Sequence, residues 1–189
     1  MEALRKRIEQ EATVHSGDMI NVDSFLNHQV DAVLMGQMAD EFAKRFDLTG
    51  VTKILTAEAS GIPLAAVCAY KFGIPMVFAR KLNSEPPTYP VYKSTVFSFT
   101  LQRPTTYYCD AQYLTAQDTV LIIDDFLAGG QSMRGLVSIV RQSGASLRGI
   151  GVAVEKLFEG GGVRLRSDGV QVEALAPIKR VEGSRIIFA

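Results

Sequence analysis

An α/β fold with a parallel sheet, an N-terminal helical segment and an inserted flap is what this sequence predicts. Three observations carry that reading. Short apolar runs alternate with amphipathic ones from residue 52 onward. Residues 82 to 118 interrupt that alternation with prolines and a two-residue period. Residues 1 to 50 repeat their apolar positions at helical intervals.

The elements follow in order. MEALRKRIEQEA, residues 1 to 12, spaces Leu4, Ile8 and Ala12 as one helical face. A polar stretch follows with both histidines, His15 and His28, neither of which has a partner by spacing. Asp31 caps a second helix in which Val30, Leu34, Met38, Phe42 and Phe46 recur every four residues, and Gly50 closes the turn after it. TKILTAEASGIPLAAVCAYKFGIPMVFARK then reads as strand, small-residue turn, helix and strand. Pro63 sits where a first-turn proline is tolerated and Gly73 where a helix ends. Such units imply a parallel sheet with right-handed crossovers. LNSEPPTYPVYK, with three prolines, reads as an exposed loop, STVFSFT as a strand with one wet face, and TTYYCD as its antiparallel partner. TVLIIDD opens a second unit. GQSMRGLVSIVRQSG continues it as a helix with Met133, Leu136, Val137 and Val140 on one face. LRGIGVAVEK is a strand apolar enough to be buried on both sides.

Composition narrows the class. The length of 189 residues suits one domain. Twenty basic residues balance twenty acidic ones, so no global field draws the chain to nucleic acid or an anionic membrane, and an anionic ligand must be held locally. Two cysteines without metal-ligand spacing fit a reducing compartment, and a cytoplasmic protein is expected. Residues 1 to 12 do not read as a secretory signal, and no apolar run approaches the ~20 residues that span a membrane.

VLIIDDFLAGGQS, residues 120 to 132, carries the chemistry. An apolar strand stops at Asp124 and Asp125, at the strand end where open parallel sheets bind ligands. Ala128, Gly129, Gly130, Gln131 and Ser132 then lead into a helix. Its first amides are unpaired and positively polarised, and glycines let a ligand come close to them. That loop cradles a phosphate, with a hydroxyl from Ser132. Carboxylates repel phosphate but accept hydrogen bonds from adjacent sugar hydroxyls. The joint signature is a ribose 5-phosphate site. A Walker-B reading fails because G-x-x-x-x-G-K-[ST] occurs nowhere, and Gly149-Ile150-Gly151 lacks the third glycine of a dinucleotide turn.

The segment resembles the phosphoribosyl-pyrophosphate motif of the type I phosphoribosyltransferases, and the resemblance covers nearly the whole chain. TAEASG, residues 56 to 61 and including Ala59 and Ser60, is similar to the family's pyrophosphate loop. Arg80 and Lys81 resemble the basic pair near pyrophosphate in purine-using members. Residues 82 to 113 match the mobile hood. VDSFLNHQVD, residues 22 to 31, and the Glu155-Lys156 pair resemble the xanthine-using branch. Ile20 stands where that branch has a base-contacting leucine.

The resemblance implies the type I phosphoribosyltransferase fold over a single domain, with residues 1 to 50 as a base-binding segment. It also implies Mg2+ with phosphoribosyl pyrophosphate as co-substrate, no assigned protein ligand for the metal, and a homodimer. The base pocket follows from donors and acceptors. Lys156 is donor-only and suits the 6-oxygen of xanthine, and the Asn27 amide suits the 2-oxygen, with Ile20 and Phe126 as apolar walls. Two alternatives stay open at this point: a transferase for guanine, hypoxanthine or adenine, and a non-catalytic regulator that keeps the same ligand site.

Overall fold

The computed structural model describes residues 1–15, 19–82, 87–98 and 103–189. The first helix, α1 (Glu2–Glu11), buries Leu4 and Ile8. Two three-residue strands, β1 (Thr13–His15) and β2 (Met19–Asn21), pair antiparallel with Val14 opposite Ile20. The polar reading of this stretch missed them, because three residues are too few for an alternation to register. One π-helical turn, Asp23–Asn27, leads to α2 (Ala32–Arg45). Asp31 caps α2 as expected, accepting the Leu34 N–H at 2.9 Å. Leu34, Met38, Phe42 and Phe46 are buried, whereas Val30 precedes the helix and is exposed.

The remaining strands form one eight-stranded sheet. They are β3 (Lys53–Ala57), β4 (Met76–Lys81), β5 (Val91–Ser98), β6 (Arg103–Asp110), β7 (Thr119–Leu127), β8 (Ser146–Lys156), β9 (Val172–Glu182) and β10 (Arg185–Phe188). Their order is β10-β9-β8-β7-β3-β4-β6-β5. The central pairs β4–β3, β3–β7, β7–β8 and β8–β9 are parallel. Helix α3 (Ile62–Phe72) crosses from β3 to β4, with Pro63 in its first turn and Gly73 left-handed at its end. Helix α4 (Gln131–Ser143) crosses from β7 to β8, and the short α5 (Gly161–Ser167) from β8 to β9.

The sheet is covered on both faces. Leu34, Met38, Phe42, Leu64 and Cys68 pack with Ile54, Leu121 and Ile123 on one side. Met133, Leu136 and Val140 of α4 pack with Leu55, Val120 and Ile122 on the other. Gly149 and Gly151 turn out to be packing residues. A Cβ at Gly149 would lie 2.7 Å from the Phe46 ring, and one at Gly151 2.8 Å from the Phe42 ring. The flap's described strands are not a free-standing insertion. β6 pairs with β4, Lys81 opposite Tyr107, so the β5–β6 hairpin extends the sheet edge.

One expectation needs correcting. β7 does not stop at the acid pair but runs on to Leu127, paired with β8 up to Glu155. What stops is its other neighbour. β3 pairs with β7 only from Lys53 to Leu55, opposite Val120 to Ile122. Beyond Ile122 the two strands separate. Chain connections leave β3 and β7 in opposite directions there, which is where an open α/β sheet forms its ligand crevice.

Candidate active site

The crevice between β3 and β7 opens into a cavity of about 890 Å3. Asp124 and Asp125 line it just past the point of separation. Both are almost fully buried, at 4% and 6% exposure. Asp124 Oδ1 accepts the Asp125 N–H at 3.0 Å and the Thr56 hydroxyl at 3.4 Å. The first residue of the α3 crossover, Gly61, leaves the space. A Cβ there would sit 1.9 Å from Asp124 Oδ1 and 2.2 Å from Thr56 Oγ1.

Burial, with the Asp125 carboxylate beside it, holds the Asp124 carboxyl well above the usual carboxylate range. The consequence for stability has a definite sign. A carboxyl that binds its proton more tightly when folded makes the native state proton-richer. Stability therefore falls as pH rises from the unfolded value near 3.8 through the folded one. Asp124→Asn keeps an oxygen for the Asp125 N–H and cannot ionise. Its melting temperature should match the wild type near pH 4 and exceed it increasingly toward neutral pH. A difference that is constant from pH 4 to 8 would contradict the burial of this charge.

Residues 128 to 132 line the cavity beside the acids. Gly130 adopts φ 81 as the N-cap of α4, a left-handed conformation natural to glycine. Ser132 Oγ shares a hydrogen bond of 3.2 Å with Tyr107 OH, which β6 brings to the same wall. Burial raises the Tyr107 phenol above its ordinary value, so it remains a neutral donor and acceptor.

On the β3 side, Glu58 accepts the Lys81 backbone N–H at 3.0 Å and lines the cavity with Ser60 and Lys81. The Glu58–Ala59 peptide bond is cis. At the far end, Lys156 is mostly buried and pairs with Glu159 at 3.3 Å, and Phe126 and Phe158 line the same wall. Glu155, 1% exposed, accepts both nitrogens of Arg166, at 2.8 and 2.7 Å.

The structure thus gathers Asp124, Asp125, Phe126, Ala128, Gly129, Gly130, Gln131, Ser132, Ser60, Lys81 and Lys156 around one cavity. Four predicted site residues lie off its wall. Ile20 is buried in the core under β2, and its neighbour Met19 lines the cavity in its place. Asn27 ends the π-helical turn, with a buried Oδ1 that has no hydrogen-bond partner. Ala59 is exposed beside the lining residues Glu58 and Ser60. Arg80 is exposed on β4 opposite Tyr108.

Sequence reasoning missed Glu58, Tyr107, Met19, Phe158 and Glu159. The acids and the small-residue loop announced themselves by residue type, whereas these five arrive through strand register and turns. The cysteines take no part. Burial pushes the Cys68 thiol to about 12 and the Cys109 thiol to about 11, too high for a nucleophile at neutral pH. Among the described residues, no three His, Cys, Asp or Glu side chains gather as a metal cage. The Asp124–Asp125 pair offers the hard oxygens that suit Mg2+, an ion that keeps most of its waters and is held with substrate phosphates.

This arrangement of acid pair, glycine loop and switch-point crevice has counterparts. The phosphoribosyl transferase domain model matches residues 26–163, and the chain belongs to that family. A curated xanthine phosphoribosyltransferase of Lactobacillus delbrueckii subsp. bulgaricus is 47% identical over 188 residues, covering 100% of each chain. One from Ruminiclostridium cellulolyticum is 48% identical over 188 residues, covering 100% of this chain and 99% of its own. Among solved structures, the adenine phosphoribosyl transferase of Trypanosoma brucei superposes with a TM-score of 0.77. It is 22% identical and covers 97% of this chain and 88% of its own, a likeness of fold.

Proposed function

We propose that the protein transfers the 5-phosphoribosyl group of phosphoribosyl pyrophosphate to xanthine in purine salvage, giving xanthosine 5′-monophosphate and pyrophosphate. The observation that carries this reading is the buried acid pair beside a glycine loop, in a chain similar along its whole length to curated xanthine phosphoribosyltransferases.

The chemistry follows from the cavity. Asp124 and Asp125 accept from the 2- and 3-hydroxyls of the ribose. The amides of residues 129 to 132 and the Ser132 hydroxyl hold the 5-phosphate. Ser60 and Lys81, which line the cavity, receive the leaving pyrophosphate, with Ala59 and Arg80, their exposed chain neighbours, in a supporting part. Positive charge develops at the sugar C1 as the bond to pyrophosphate lengthens, and a purine ring nitrogen attacks from the Lys156 side. Orientation and electrostatics supply the rate, with no covalent enzyme intermediate. Asp124 and Asp125 are the residues that would hold a hydrated Mg2+ brought in with phosphoribosyl pyrophosphate, and the ion would supply charge neutralisation for the leaving group.

Lys156, steadied by Glu159, donates to the 6-oxygen of the base and disfavours the 6-amino group of adenine. Asn27 donates its Nδ2 to the 2-oxygen, and its buried Oδ1, which has no partner in the structure, is an acceptor suited to a ring N–H of xanthine. Phe126 forms one wall and packs on the core cluster that contains Ile20. The assembly is a cytoplasmic homodimer, consistent with exposed apolar side chains such as Phe97 on the flap. Phe99 lies outside the described residues, as do residues 83–86 and 100–102. A monomeric mass in solution would contradict the dimer.

The base reading is tested at Asn27. A site built to pair a polar group loses about 1–3 kcal/mol when that partner is missing, or roughly five- to 150-fold. Asn27→Ala should lower xanthine kcat/KM most and narrow the gap to hypoxanthine, which has no 2-oxygen. An unchanged gap in an active variant would remove Asn27 from base recognition.

A further inference from the structure

We infer that Arg164 is a positioning residue, fixing the peptide planes of the phosphate loop from α5, the helix that follows the base-reading lysine. The inference rests on the reading above that residues 128 to 132 receive the 5-phosphate.

β8 ends at Lys156, a short turn of 3-10 helix spans Leu157–Glu159, and α5 begins at Gly161. From α5 two bonds reach across to the loop. The Gly161 N–H donates to the Ala128 carbonyl at 3.1 Å. Arg164 Nη2 donates to the Gly129 carbonyl at 2.8 Å and to the Glu159 carbonyl at 3.1 Å. One guanidinium nitrogen thus bridges the phosphate loop and the residue that pairs with Lys156.

Peptide planarity turns these contacts into an aiming device. In a trans peptide the carbonyl and the following N–H point in opposite directions. Drawing the Ala128 and Gly129 carbonyls toward α5 therefore turns the Gly129 and Gly130 N–H groups the other way, and both residues line the cavity. Without that hold, a Gly-Gly pair has more freedom than any other dipeptide to rotate its amides off the phosphate. α5 is itself tied down, because Arg166 forks onto the buried Glu155, one residue before Lys156. Arg164 is exposed and lies off the cavity wall, so its role is to hold the loop rather than to touch substrate.

Two variants separate geometry from charge. Arg164→Ala removes both. Arg164→Lys keeps the charge but is one bond shorter and lacks the planar fork. The probe is ribose 5-phosphate, titrated calorimetrically into the full chain, with steady-state kinetics and melting temperature alongside. Both variants should bind ribose 5-phosphate about five- to tenfold more weakly, as loss of a partly solvated charge-assisted bond predicts. The KM for phosphoribosyl pyrophosphate should rise in parallel, with kcat within about twofold and the melting temperature nearly unchanged. Wild-type affinity in both variants overturns the inference. So does full rescue by Arg164→Lys, which would make the effect long-range attraction. If the wild type binds ribose 5-phosphate more tightly than both variants but does not transfer the phosphoribosyl group of phosphoribosyl pyrophosphate to xanthine, the proposed function fails while the inference stands. If it transfers normally and the variants bind normally, the inference alone fails.

Discussion

The double variant Asp124→Asn, Asp125→Asn is expected to fold and to lose at least about a hundredfold of its turnover. Both side chains are almost fully buried, so their charge has a purpose other than solubility. The fold tolerates their removal, since the Asp124 carboxyl already favours its neutral form and an amide oxygen can still accept the Asp125 N–H. What the amides cannot supply is the negative charge that the carboxyl pair retains beside a sugar carbon that becomes positive. The loss should appear in kcat at saturating substrates, with the circular dichroism spectrum and the cooperativity of melting retained. Turnover like that of the wild type in a folded double variant would remove the acids from the reaction.

Gly161→Ala should act almost as strongly through a different route. A Cβ at Gly161 would lie 2.2 Å from the Ala128 carbonyl oxygen, 2.6 Å from the Gly130 nitrogen and 2.8 Å from the Gly129 carbonyl carbon. All three are backbone atoms of the phosphate loop, so the loop itself must move. Misplacement of a binding element by about 1 Å costs as much as ~100-fold, and a rise of about ten- to hundredfold in the KM for phosphoribosyl pyrophosphate is expected. Overpacking of this kind costs about 1–3 kcal/mol, a fall of roughly 2–12 °C in melting temperature. Gly36→Ala is the control. Nothing lies within 4 Å of that position on α2, so it should leave KM unchanged and raise stability slightly. A Gly161→Ala protein with wild-type KM would show that the loop does not need its support from α5.

What could be seen in advance depended on whether residue type or spatial arrival made the feature. The parallel units were visible because β3, α3 and β4 each carry their own punctuation: an apolar run, Pro63, Gly73. The acid pair and the loop were visible because Asp, Asp, Gly, Gly and Ser occur in sequence order and remain neighbours in space. Tyr107 was not. Its strand was legible only as the partner of the alternating STVFSFT, and the register that sets Lys81 opposite Tyr107, and so brings the phenol to Ser132, is a property of the assembled sheet edge. Gly61 and Gly161 were likewise opaque, since their necessity comes from Asp124 and from the 128–130 backbone, distant in sequence. The strand extending past the acids was misread for a related reason. Charges usually end a buried strand, and here β3 ends its pairing instead, leaving β7 to continue with β8.

The most direct test is a spectrophotometric assay of the wild-type protein with xanthine, guanine, hypoxanthine and adenine, each with and without phosphoribosyl pyrophosphate and Mg2+. The account predicts conversion of xanthine to its 5′-monophosphate at the highest kcat/KM of the four, strictly dependent on phosphoribosyl pyrophosphate, with adenine unused. No conversion of any base, or a preference for adenine over xanthine, would contradict it.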